Sequence, residues 1–231
     1  MINFTIKDKN FWKITALIFI ILAIVLSSTL LGLLIENKLI NTNSSAYFNL
    51  SNENEPRIMH EKLKHAVIGN KNANLSIVLY SDFECPFSKK FHKTTYKKLK
   101  KEYVNTGIVN IVLKHYPDKL HKNALLEAQA FECAKEQNKR SKIQDELYNH
   151  KKLSKTDLLY IAQKSNISIP NFEECLYYQK YKDKILKEKI IAKNKGIQKT
   201  PTMLIEEEKI EGVKPYSIIK QIIEEKLKDS S

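Results

Sequence analysis

The run Leu75 to Asp82, LSIVLYSD, limits the folds open to this chain more than any other segment. Its aliphatic and β-branched residues stand together with little polar alternation, the pattern of a strand buried on both faces. Pro86 follows, suited to the first helical position, where its missing N–H costs nothing. The helix it opens carries Phe87, Phe91, Leu99 and Tyr103 on one side, with Lys93, Lys97 and Lys100 elsewhere. Gly107 closes that unit, and Ile108 to Leu113 reads as a second core strand. Strand, helix and strand in succession predict a βαβ unit, with parallel strands and a right-handed crossover. The fold class is therefore α/β.

Beyond this unit the hydrophobic period stays helical from about Asn123 to Lys195. ALLEAQAFECAKEQ sets Leu126, Ala130, Cys133 and Ala134 on one face. Ser154 stands three residues before Asp157, a helix-start signal. Asn166 to Pro170 breaks the chain. A single lysine-laced helix is expected from there to Gly196, which is placed to cap it. The period then changes to short strands at Thr202 to Ile205 and Lys209 to Gly212, with Glu206 to Glu208 as the turn. Pro215 opens an amphipathic helix with Ile218, Ile219, Ile222, Ile223 and Leu227 as its stripe. With 231 residues, 42% of them hydrophobic, 28% charged and only 5 glycines, the chain suits one globular domain plus attachments.

The attachments lie at the N-terminus. Ile14 to Ile35 contains no charged residue. At ~1.5 Å per helical residue it reaches across a hydrocarbon core of about 30 Å. Lys7, Lys9 and Lys13 precede it and Glu36 follows, so residues 1–13 are expected in the cytoplasm and the remainder outside. A cleaved secretory signal has a shorter apolar core ending at small residues. This run ends in Leu33-Leu34-Ile35, which favours a retained transmembrane anchor. Residues 36–65, rich in Asn, Ser and Glu, read as a tether in which Pro56 to Lys64 forms a short helix. Residues 66–229 read as the periplasmic or extracytoplasmic domain. The formal charge is +13, but export makes nucleic acid an unsuitable partner. A solvated lysine-rich surface, or a mild attraction to lipid headgroups or acidic substrates, is left.

The chain holds 3 cysteines, an odd number for an oxidising compartment. Cys85, in SDFECPFSKKF, falls where the first strand hands over to a helix. Free N–H groups and the positive end of the helix dipole favour a thiolate there; Lys89 and Lys90 add to that field and Glu84 opposes it. The same residue read alone is equally a partly buried, inert thiol.

SDFECPFSKKF, the following βα unit, the helical stretch and KTPTMLIEEEKIEGVKPYSIIKQII together resemble the DsbA-like branch of the thioredoxin superfamily, over roughly Ala66 to Lys228. The IGN turn at Ile68 to Asn70 and HKNALLEAQAFECAKEQNK, at the start of an inserted helical domain, belong to the same resemblance. It implies a thioredoxin fold: a mixed central sheet flanked by helices, with a helical insertion at about 118–195. It implies thiol–disulfide exchange on exported proteins with cysteines, by oxidation, isomerisation or reduction, with Cys85 as nucleophile. Pro86 and Phe87 beside it, and Thr200-Pro201 in a cis peptide facing it, would hold substrate. It also implies a structural disulfide between Cys133 and Cys175, whose alternative is two buried free thiols.

Ser88 departs from the family's pattern of two cysteines separated by two residues. A hydroxyl has no thiol redox couple, so an external thiol or redox partner would have to resolve any mixed disulfide on Cys85. Ser88 is left with a hydrogen bond to the Cys85 thiolate. The same departure keeps open a redox-inactive scaffold that binds peptides. The six histidines have no metal-ligand spacing, so neither a metal nor another cofactor is expected. His92, two helical turns after Cys85, suggests a Cys-His hydrolase only until an oxyanion hole is sought.

Overall fold

A computed structural model describes residues 16–17, 19–24, 26–27 and 66–229. The first three groups are helical and exposed. Most of the expected membrane span, and all of the tether with its short helix, lie outside the described residues. No helix among the described residues is long and apolar enough to cross a membrane.

From residue 66 onward the chain builds a sheet of five strands. These are β1 (Ala66–Ile68), β2 (Leu75–Ser81), β3 (Val109–His115), β4 (Thr202–Ile205) and β5 (Glu208–Glu211), in the order β1-β3-β2-β4-β5. β2 and β3 are parallel, as the βαβ pattern requires, and the other three pairings are antiparallel. The sheet is therefore mixed. β1 had no strand signature of its own. Three residues carry too little pattern, and pairing of Ala66 with Leu113 and Ile68 with Ile111 supplies what periodicity could not. Gly69 follows at φ +98, where a Cβ would lie 2.7 Å from Val104 Cγ1, so glycine is required on both steric grounds.

Successive residues of β2 serve opposite faces. Ile77 and Leu79 join Ile111, Leu113, Phe91, Leu99, Met203, Ile219 and Ile223 in the main core. Val78 and Tyr80 turn to a smaller cluster with Tyr116, Ala192 and Ile197. Both faces are covered, which is why the strand lacks alternation.

Helix α1 (86–104) connects β2 to β3. It alternates α-helical Pro86–Phe91 and Lys97–Leu99 with π-helical His92–Tyr96 and Lys100–Val104. Phe91, Leu99 and Tyr103 are buried, but Phe87 is 62% exposed. The expected apolar stripe thus begins one turn later than its period suggests, because the first turn projects past the end of the sheet. Ile108, expected in β3, is also exposed.

The insertion comprises α2 (Ala124–Glu136), α3 (Arg140–Asn149), α4 (Lys155–Lys164), α5 (Ile169–Tyr177) and α6 (Lys182–Asn194). Phe131, Ile143, Leu147, Leu158 and Phe172 carry the main core into it. Ser154 caps α4 through a reciprocal capping box with Asp157. The single helix expected before Gly196 is two. Gln179 takes φ +49 between α5 and α6, a reversal in the polar segment YYQKY that no proline or glycine announces. Gly196 lies just beyond α6 at φ +72. Helix α7 (Tyr216–Asp229) buries Ile219 and Ile223 and half-buries Ile222 and Leu227, while Ile218 is exposed, so its buried stripe is narrower than expected.

Candidate active site

Cys85 is the N-cap of α1, in extended backbone at φ −65, ψ 123. Asp82 makes this junction. Its Oδ1 accepts from the Glu84 N–H at 2.8 Å and the Cys85 N–H at 3.3 Å, folding the chain back through an Asx turn. The Cys85 carbonyl then accepts from the Lys89 N–H at 3.0 Å as the helix starts. Cys85 is 6% exposed, and its Sγ–H donates to the Thr200 carbonyl at 3.5 Å.

Sheet register explains how a residue 115 positions away arrives there. β4 runs antiparallel to β2 with Tyr80 opposite Thr202. Residues just before Thr202 must therefore lie beyond the end of β2, beside the turn that holds Cys85. The Thr200-Pro201 peptide is cis. The Pro201 carbonyl accepts from the Gly212 N–H at 2.8 Å, and Thr202 Oγ1 donates to the Lys199 carbonyl at 2.8 Å, fixing the segment from both sides. Pro86 and Phe87 are exposed next to Cys85.

Ser88 differs from its expected role. Its side chain is fully buried, and its Oγ accepts from the Asp82 N–H at a long 3.5 Å. The Cys85 sulfur has Thr200, not Ser88, as its hydrogen-bond partner. A side chain at the third helical position points back beneath the turn, and that places Ser88 under the loop.

A polar cluster under this turn was not anticipated. Asp82 Oδ2 accepts from the Asp118 N–H and pairs with His121 Nδ1, at 2.8 and 2.7 Å, tying the loop before α2 to the Cys85 turn. Glu84 Oε2 accepts from the Asn123 N–H at 2.8 Å. Lys89 Nζ donates to the His150 carbonyl and, at 2.9 Å, to that of Lys151. Burial lowers the Lys89 pKa, against the pull of Glu127, Glu84 and Asp82. Glu127 on α2 is wholly buried, and neither oxygen makes a hydrogen bond of sound geometry, although the Leu153 backbone lies nearby. Burial pushes its carboxyl up to about 8; Lys89 opposes this and Glu84 and Asp82 reinforce it. The available signal was a charge on an apolar stripe: Glu127 shares its helical face with Phe131 and Ala134.

His92 sits in the interior, stacked between Tyr96 and Tyr148 at 4.6 and 4.2 Å. Burial, then Lys97, Lys100 and Lys93, lower its pKa to about 3. Its Nε2 is 3.3 Å from an Asp145 carboxylate oxygen but out of hydrogen-bond geometry, so burial outweighs that pairing. Cys133 and Cys175 form a disulfide across α2 and α5, with Cα atoms 6.0 Å apart, and Cys85 is a free thiol. No group of three or more His, Cys, Asp or Glu among the described residues could hold a metal ion.

A family model described as Thioredoxin matches residues 61–225. Among curated relatives, a Na(+)/H(+) antiporter NhaA 3 of Salinispora tropica is 29% identical over 154 residues, which are 66% of this chain and 23% of that protein. A probable disulfide bond formation protein D of Bacillus cereus is 26% identical over 148 residues, covering 60% of this chain and 68% of that one. The chain thus spans under a quarter of the antiporter's length and about two thirds of the Bacillus protein's. Among solved structures, Wolbachia pipientis alpha-DsbA1 superposes with a TM-score of 0.64 at 22% identity, over 72% of this chain and 92% of that one, a likeness of fold.

Proposed function

Because the chain belongs to the thioredoxin family and is DsbA-like in fold, we propose that it catalyses thiol–disulfide exchange on exported, cysteine-containing proteins through Cys85 alone. One observation carries this reading: the only free thiol caps a helix start and lies 3.5 Å from the carbonyl that precedes a cis proline. Backbone at Thr200 can pair with an extended substrate segment, and Phe87 offers an exposed apolar surface beside it.

In the reaction the Cys85 thiolate attacks one sulfur of a substrate disulfide. A Cys85–substrate S–S bond forms, the substrate S–S bond breaks, and the departing thiolate takes up a proton from solvent. Ser88 cannot displace the substrate. A second thiol, from the substrate or a small molecule, attacks the mixed disulfide and restores Cys85. Isomerisation or reduction suits such a monothiol better than a self-contained oxidase cycle. Residues 14–35 would hold the domain at the outer face of a membrane, with 1–13 inside and 36–65 as its tether.

Trapping in the native envelope tests the reading. Disulfide-linked adducts should form on the wild-type chain and vanish in Cys85→Ala. If adduct yield is the same in both, Cys85 is not the nucleophile, and the fold serves as a peptide-binding scaffold.

A further inference from the structure

A groove of about 300 Å³ runs along α1 beside the segment that leads from β5 into α7. Lys90, Thr94 and Lys98 line one wall, and Val213, Lys214 and Tyr216 the other. Lys90, Lys98 and Lys214 are exposed, and no acid is among the lining residues. Lys98 lies over the Tyr216 ring, 5.6 Å from its centroid. Glu102, beside Tyr216, is already paired with Lys220 at 3.2 Å.

Two connections join this groove to Cys85. Lys90, Thr94 and Lys98 follow one another at helical spacing of four on the helix that Cys85 caps. The opposite wall begins after Gly212, whose N–H holds the Pro201 carbonyl, and Thr95 Oγ1 donates to the Lys214 carbonyl at 3.2 Å, closing the groove floor. At ~1.5 Å per α-helical residue, and less across the π-helical His92–Tyr96, Lys90 lies roughly 8 Å along the axis from Cys85 and Lys98 at most about 20 Å. An extended polypeptide advances ~3.3 Å per residue, so those lysines stand about two to six residues from a cysteine reacting at Cys85.

From this we infer that the groove is a specificity subsite for acidic polypeptide: substrates with Asp or Glu about two to six residues from the reacting cysteine are captured preferentially. A small anionic thiol could not reach both lysines while bonded to Cys85, so the span selects a polypeptide. This inference rests on the exchange function proposed above and adds the class of substrate.

Two peptides test it on the full chain, each with one cysteine carried as a mixed disulfide with thionitrobenzoate. One has Asp and Glu on both sides of that cysteine, and the other has Ser at those positions. Attack by Cys85 forms the peptide–Cys85 disulfide and releases the coloured thionitrobenzoate anion. At low ionic strength the acidic peptide should react about tenfold faster, the lower end of electrostatic steering. That ratio should fall towards one at high salt and in a Lys90→Ser, Lys98→Ser, Lys214→Ser variant. A wild-type ratio of one, or a ratio that the triple variant retains in full, overturns the subsite. Release from neither peptide in a Cys85-dependent manner overturns the exchange function itself, a different outcome from a lost ratio.

Discussion

Replacing Glu127 with Gln should flatten the dependence of stability on pH. The side chain is wholly buried without a sound hydrogen bond, so its ionised form is costly and its protonated form is preferred in the folded chain. Its carboxyl moves from an ordinary 4.5 to about 8 on folding. Between those values the folded chain holds a proton that the unfolded chain has lost. Stability from this site is therefore complete below about pH 4.5 and drains as pH rises through 8. The slope is about 1.4 kcal/mol per pH unit, and the ceiling across the window is roughly 5 kcal/mol. The narrower window and relaxation of the site reduce this, leaving a loss on the order of 2–3 kcal/mol between pH 5 and pH 8. Urea unfolding of the domain at pH 5, 6, 7 and 8 measures it. Glu127→Gln keeps the shape of the protonated acid and cannot ionise, so its curve should lack that loss. Wild-type and Glu127→Gln curves that run parallel would refute a buried, proton-holding Glu127.

Four further outcomes follow from other parts of the structure. His92, lowered to about 3, binds its proton more weakly when folded, so it contributes stability above about pH 6.5 that is lost as pH falls towards 3; His92→Phe should remove that acid-side loss in the same titration. Ser154→Ala deletes the capping box of α4 and should cost about 1 kcal/mol by urea unfolding. Joint replacement of Cys133 and Cys175 by Ala opens a loop with a sequence separation of 42, and the melting curve should reflect a loss of up to roughly 4 kcal/mol. Phe87→Ser, at an exposed position, should leave the melting temperature unchanged but slow formation of mixed disulfides with apolar-flanked peptides.

Local chemistry wrote much of this fold plainly into the chain. The unbroken apolar run of β2, the proline that opens α1, the Ser154–Asp157 spacing and the change of period after Gly196 each mark an element without reference to distant residues. That holds because β- and α-periodicity, capping and proline geometry act over four or five positions. Cys85 at a strand-to-helix junction was legible for the same reason. What escaped local reading depended on neighbours distant in the chain. β1 exists through its pairing with β3, the turn at Gln179 through the packing of α5 and α6 each against α2, and the exposure of Phe87 through the place where the sheet ends. The closeness of Cys85 to Thr200 comes from antiparallel register between β2 and β4. Burial of Glu127 comes from docking of the insertion against the Cys85 turn. Desolvation and strand pairing are properties of what surrounds a residue, and the chain acquires those surroundings only on folding.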